Sequence, residues 1–211
     1  MRIVLLGPQG AGKGTQAQRI SAKTSAKHIS TGDLVRAEIR SGSKLGEKIK
    51  DFNDRGELVP DETIIEMMRP YLEEADSWIL DGFPRNESQA EALDEMLEEI
   101  EAELDAAVAL EAPDETLITR LSGRRVSEAT GSIYHVEYDP PPEGSGEDPG
   151  PFVQREDDTE ESIRRRLAIY HEHTEPLKDY YADRGILVTV DATRAIAEVT
   201  EEILEAVGEK A

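Results

Sequence analysis

The sequence predicts an α/β fold with a mostly parallel sheet covered by helices on both faces. Three observations predict it. Short β-rich runs alternate with longer helical patterns, the first run empties at once into a glycine-rich turn, and one long segment carries apolar residues at helical spacing. The five strand candidates are Ile3–Leu6, Lys27–Ile29, Trp78–Leu80, Ala106–Leu110 and Leu187–Val190. Leu93, Met96, Leu97, Ile100 and Leu104 recur with the period of an amphipathic helix, whose opposite side, rich in Glu and Asp from Glu87 to Glu103, is a solvated face. Ser127 to Asp158 breaks the alternation with scattered aromatics, the Pro140-Pro141-Pro142 run and Gly144, Gly146 and Gly150, which is the composition of a lid or linker. Thr159, followed by Glu160, Glu161 and Ser162, is placed to cap a helix running to about Tyr181.

A chain of 211 residues can fill one core and carry small insertions. Its 46 acidic against 24 basic side chains give a net charge of −22, which excludes nucleic acid as an expected partner and opposes compaction unless counter-ions are dense. Arginine outnumbers lysine 16 to 8, and with this acidity the pattern suits a salt-rich cytoplasm. No apolar run approaches the roughly 20 residues of a membrane span, and the chain enters its first strand without a leader-like apolar stretch, so a cytoplasmic protein is expected. The absence of cysteine leaves neither disulfides nor thiolate metal sites.

Gly7-Pro8-Gln9-Gly10-Ala11-Gly12-Lys13-Gly14-Thr15 lies between the first strand candidate and a helical pattern containing Gln16, Ala17 and Ile20. That is the context of a P-loop: glycines let backbone N–H groups wrap a phosphate, the helix N-terminus adds positive dipole, and Lys13 supplies charge. Further on, Trp78-Ile79-Leu80-Asp81-Gly82-Phe83-Pro84-Arg85 delivers a carboxylate to the carboxyl end of a strand, where open α/β sheets bind ligands. Asp81 there can hold a Mg²⁺-bound water, and a turn through Gly82 and Pro84 aims Arg85 at a phosphate. Ser30-Thr31-Gly32-Asp33 reads locally as a helix start, with Thr31 or Asp33 as the cap. From Arg120 to Arg166 there are seven arginines and no lysine, so many cations that a polyanionic ligand or a web of acidic partners is required; simple carboxylate pairing is the expectation for Arg125, Arg164 and Arg165.

The hydroxyl one place late, in Gly12-Lys13-Gly14-Thr15, resembles the nucleoside monophosphate kinases, and Met1 to Gln18 is similar to the adenylate kinases in particular. Asp81-Gly82-Phe83-Pro84-Arg85, Gly123-Arg124-Arg125-Val126 and Gln154-Arg155-Glu156-Asp157-Asp158 follow in that family's order, so the resemblance to its long-lid form spans essentially the whole chain. It implies a P-loop three-layer sandwich around a mostly parallel five-stranded sheet, with a core of residues 1–29, 60–126 and 159–211, an AMP-binding flap of residues 30–59 and a lid of residues 127–158. It implies reversible transfer of a phosphoryl group from Mg·ATP to AMP, giving two ADP, by a monomer. By resemblance, Gly10, Ala11, Gly12, Lys13, Gly14, Thr15, Arg120, Arg124, Tyr134 and Arg194 face ATP. Thr31, Arg36, Glu57, Leu58, Val59, Gly82, Arg85, Gln89, Arg155 and Arg166 face AMP, with Gln89 reading the base. Lys13, Arg36, Arg85, Arg124, Arg155 and Arg166 are then the catalytic cations.

Many lids of this family hold zinc with four cysteines; here the corresponding positions include Ser127 and Thr130, so a hydrogen-bonded lid without zinc is expected. His171 and His173, two residues apart, point to different helix faces and do not form a metal pair. Related kinases acting on other nucleotides remain the alternative enzyme. A P-loop switch is disfavoured because neither Asn53 nor Asn86 opens the Asn-Lys-x-Asp guanine reader.

Overall fold

The computed structural model describes residues 1–55, 59–142 and 148–208. Five strands, β1 (Arg2–Leu6), β2 (Lys27–Ser30), β3 (Trp78–Asp81), β4 (Ala106–Glu111) and β8 (Leu187–Asp191), form one sheet in the order β2-β3-β1-β4-β8. Every pairing in it is parallel. A second, antiparallel sheet of three short strands is built from β5 (Arg124–Ser127), β6 (Ile133–His135) and β7 (Phe152–Val153). It begins at Arg124, so its first strand overlaps the end of the 60–126 segment that the resemblance assigns to the core.

Strand residues alternate between two apolar layers, as the period of a strand requires. Ile3 and Leu5 face the layer formed with α1 (Lys13–Thr24), α6 (Asp114–Ser122), α7 (Glu160–Ile169) and α9 (Ile196–Gly208). Val4 and Leu6 face the layer formed with α2 (Thr31–Ser41), α3 (Lys44–Arg55), α4 (Asp61–Glu74), α5 (Glu87–Glu99) and α8 (Leu177–Ala182). Trp78, Ile79 and Leu80 are wholly buried, so β3 is anchored on both faces while its last residue, Asp81, reaches the open edge.

Three local expectations are corrected. The amphipathic segment leaves the helix at Glu99: Glu101 turns left-handed (φ 52), Glu101 N–H bonds the Glu98 carbonyl and Ala102 N–H reaches back to the Leu97 carbonyl at 2.9 Å. This double closure ends the helix, and Leu104 packs against the core from the following loop. Thr159 does cap α7, accepting from Ser162 N–H, but the helix does not run evenly to Tyr181. Residues Tyr170–Thr174 form a π-helical turn, and α8 starts after Pro176, which has no N–H to continue the ladder. The cap of α2 is Ser30, whose hydroxyl oxygen accepts from Asp33 N–H; neither Thr31 nor Asp33 fills that role.

Candidate active site

Strand order reverses around β1, and the crevice at the carboxyl ends of its neighbours is where this topology places a ligand. The register brings the strand ends together there, with Asp81 opposite both Leu5 and Ser30. A cavity of about 970 Å³ opens at this edge, and every site residue predicted from the sequence that lies among the described residues lines it. Glu57 and Leu58 lie outside the described residues; Val59 lines the cavity.

The loop from Gly7 to Gly12 is held in shape by backbone only glycine adopts readily: Gly7, Gly10 and Gly12 have φ of 140°, 87° and 95°. A Cβ on Gly7 would stand 2.7 Å from the Leu110 carbonyl oxygen, so the close packing of this loop on β4 also demands glycine. Lys13 bends back over the loop, its ammonium donating to the carbonyls of Gly7 at 2.6 Å and Pro8 at 2.9 Å. Burial, reinforced by Arg85, Arg166 and Arg124 and opposed by Asp81, brings its pKa down to about 8.

Asp81 faces this ammonium from β3. Burial pushes its carboxyl up, but the His28 ring, Lys13 and Arg85 outweigh burial and leave it below the usual range, hence ionised. His28 Nε2 stands 3.5 Å from Asp81 Oδ2. After Asp81, the left-handed Gly82 (φ 85) turns the chain through a cis Phe83–Pro84 peptide to Arg85, whose Nε donates to the Gly82 carbonyl at 2.8 Å. Thr31 locks the start of α2 to the same turn, donating to the Gly82 carbonyl at 2.8 Å. Gln89, 2% exposed on α5, lines the cavity beside Arg85.

The remaining cations enter from three directions. Arg36 comes from α2, paired with Asp33. Arg124 leaves the start of β5 and makes a two-pronged ion pair with the buried Asp158. Arg166 on α7 pairs with Asp157 at 2.7 Å. Among the described residues the Arg155 side chain makes no hydrogen bond or ion pair; burial, with Arg124 and Arg36 pushing the same way, brings it down to about 10. Burial first, then neighbouring cations, also lowers Arg85 and Arg166. Arg120 is tied to the Ala192 carbonyl at 2.9 Å, and the Arg194 side chain turns outward to Glu198 and Glu202. Of the arginines expected to pair with carboxylates, Arg164 meets Glu160 and Arg165 meets Glu161, whereas Arg125 donates to the Arg124 carbonyl.

Above the cavity, the small sheet is stitched by one carboxylate. Asp148 accepts from Ser127 at 2.6 Å, Thr130 at 2.7 Å, Tyr134 at 2.9 Å and Gly150 N–H at 3.2 Å. Burial raises its carboxyl, but these donors outweigh burial and bring it down to about 2. Tyr134 thus spends its hydroxyl on this network while its ring, edge-on to Phe152, borders the cavity. His171 lies between Glu175 and Asp114, outside the cavity, and among the described residues no group of three or more His, Cys, Asp or Glu side chains is arranged to hold a metal ion.

Sequence reasoning named Asp157 and Asp158 without a role and missed His28 and Asp61, which holds the Gln89 amide at 2.6 Å. His28 sits near the end of a predicted strand, a signal that could have flagged it; Asp61 offered none.

A glycine-wrapped lysine at the switch point of a parallel sheet, ringed by arginines, defines a P-loop phosphate-handling site. The sequence profile described as adenylate kinase matches residues 5–186. The chain is 46% identical over 213 residues to the adenylate kinase of Caldicellulosiruptor bescii, covering 99% of each chain. It is 48% identical to that of Chloroherpeton thalassium, covering 97% of each, and 46% identical to that of Archaeoglobus fulgidus, covering 100% of this chain and 99% of that one. The chain belongs to the adenylate kinase family.

Proposed function

We propose that this chain catalyses reversible transfer of the γ-phosphoryl group of Mg·ATP to AMP, giving two ADP and balancing the adenine nucleotides. The observation that carries the reading is the convergence of Lys13, Arg36, Arg85, Arg124, Arg155 and Arg166 on one cavity in a chain of net charge −22. Several of these cations are held against burial and one another, a strain that polyphosphate anions relieve.

Gly10, Ala11, Gly12, Lys13, Gly14 and Thr15 hold the donor phosphates, with Arg120 and the backbone of Arg194 beside its base and Arg124 and Tyr134 closing from the lid. Thr31, Val59, Gly82 and Gln89 hold the acceptor nucleoside, while Arg36, Arg85, Arg155 and Arg166 clamp phosphates. An acceptor phosphate oxygen attacks the γ-phosphorus; that P–O bond forms as the bond to the β,γ-bridging oxygen breaks, and ADP leaves. The attacking oxygen is already ionised, so no general base is required. Catalysis is alignment plus charge neutralisation by cations held in advance. The ionised Asp81 and the Thr15 hydroxyl at the cavity wall are hard oxygen donors that fit Mg²⁺, Asp81 through bound water. Mg²⁺ would neutralise phosphate charge there.

Closure of the 127–158 segment would keep water from the γ-phosphate. Among the described residues no helix is long and apolar enough to cross a membrane. The net charge of −22 supports a cytoplasmic, monomeric enzyme adapted to high salt.

A coupled assay tests the activity: ADP should form rapidly from Mg·ATP plus AMP and negligibly from Mg·ATP alone. Equal rates with and without AMP would overturn the proposal.

A further inference from the structure

We propose that Asp61 is a specificity-determining positioning residue: by fixing which way the Gln89 amide faces, it makes the acceptor site read adenine and reject 6-oxopurines. The inference rests on the reading above that Gln89 meets the acceptor base.

Gln89 is almost wholly buried, and both ends of its amide are engaged. Its Nε2 donates to Asp61 Oδ1 at 2.6 Å, and its Oε1 accepts from the Arg85 backbone N–H at 2.8 Å. Neither partner can reverse its role, since a carboxylate only accepts and a backbone N–H only donates. A flipped amide would set donor against donor at Arg85 and acceptor against acceptor at Asp61. The orientation of this amide is therefore dictated by its partners.

An amide carries two N–H donors and two acceptor sites on oxygen, so one of each remains, in a fixed order, for a ligand. The six-membered edge of adenine presents an amino donor beside a ring-nitrogen acceptor. Hypoxanthine and guanine present a carbonyl acceptor beside a ring N–H, the reverse order. With the flip forbidden, Gln89 matches the first and meets the second with two like-on-like contacts, and a site built to hydrogen-bond one pattern rejects its inverse strongly.

Asp61 is itself held for this task. Asn86 Nδ2 donates to both of its carboxylate oxygens at 3.1 and 3.2 Å, while Asn86 Oδ1 accepts from Gln89 N–H at 2.8 Å as the cap of α5. The first turn of α4, which carries Asp61, is thereby joined to the first turn of α5, which carries Gln89.

The experiment is steady-state kinetics of the full chain with Mg·ATP as donor and AMP or IMP as acceptor, for wild type, Asp61→Asn and Gln89→Ala. Asparagine keeps the shape but can donate or accept, so one of the two locks is released. Asp61→Asn should raise the AMP KM about tenfold, the equivalent of one hydrogen bond, and shrink the AMP-to-IMP ratio of kcat/KM by a similar factor. It should leave kcat at saturating AMP and the ATP KM within about twofold, a split that a merely structural role would not give. Should Asp61→Asn not accumulate as folded protein, Asp61→Ser, which also removes the acceptor-only group, carries the same expectation. An unchanged AMP-to-IMP ratio, or equal losses in kcat and both KM values, overturns the inference. If Gln89→Ala weakens AMP recognition while Asp61→Asn does not, only the role of Asp61 fails. If Gln89→Ala leaves AMP recognition intact, the base reading beneath it fails as well.

Discussion

Replacing Lys13 by methionine separates what its ammonium contributes to phosphoryl transfer from what it costs the ligand-free fold. Burial, then Arg85, Arg166 and Arg124, lower this group from 10.5 to about 8 against the opposing pull of Asp81. At roughly 1.4 kcal/mol per pH unit, the distance between those two values amounts to about 3 kcal/mol. The sign follows from proton binding. Between pH 8 and 10.5 the unfolded chain holds this proton and the folded chain has released it, so stability rises with pH across that window. At neutral pH both states are protonated and the full cost is present. Urea unfolding without nucleotide, at fixed salt, should be run for wild type and Lys13→Met from about pH 7 to pH 11. Other titrating groups cancel in the difference. The wild type should gain about 3 kcal/mol on the variant across the range, nearly all of it above pH 8. Turnover of the variant should fall by about a thousandfold or more, since a charge aimed at the transferring phosphate is lost. A difference in stability that stays flat with pH would refute the claim that this ammonium is held at a cost. Undiminished turnover would refute its role at the phosphates.

Arg85→Ala should lower kcat by about a hundredfold or more yet move the melting temperature by only a few degrees. Among the described residues its side chain gives one hydrogen bond, to the Gly82 carbonyl, and its removal relieves repulsion with Arg166 and Arg36 while giving up attraction to Asp81; unchanged turnover would sink the assignment. Asp148→Ala should loosen the small sheet by stranding the donors of Ser127, Thr130, Tyr134 and Gly150. Limited proteolysis within residues 127–158 should quicken and ATP hydrolysis without AMP should rise, and a cleavage rate equal to wild type would refute the stitching role. Because the folded carboxyl is lowered from 3.8 to about 2, its contribution is present above the higher value and is lost as pH falls through the lower. Thermal melts should show stability rising from low to molar salt as counter-ions screen the net charge of −22; equal melting temperatures would remove the case for a salt-adapted surface.

What the sequence disclosed and what it hid divide along the range of the interactions involved. Four strands of the main sheet were legible because each is a short apolar run; β2 (Lys27–Ser30) has only Ile29 as an apolar residue, yet all five were found to within a residue at either end. The P-loop was legible because its demands are local: Gly7, Gly10 and Gly12 take conformations that only their own residue type accepts readily. The end of α5 was not, because Glu101 adopts a left-handed turn without being glycine or asparagine, and no residue in the helical pattern announces it. The π turn was hidden for a related reason, since Pro176 marks a fault in the ladder without saying whether the helix stops or bulges.

The site shows the same division more sharply. Arg85 could be found from the strand and turn that deliver it, and Arg124, Arg155 and Arg166 from an arginine-rich run set in the family's motifs, whereas the aspartates that hold two of them are lost among 46 acidic side chains. Asp157 and Asp158 gain meaning only when the fold sets them against Arg166 and Arg124. Asp61 is the extreme case. In the sequence it is one acid opening a helix, as expected of any first turn. Its chemical content arises from lying 28 positions from Gln89 in the chain yet 2.6 Å from its amide in space. The direction of that hydrogen bond, a property of the pair and of neither residue alone, is what can turn an indifferent amide into a reader of one base edge.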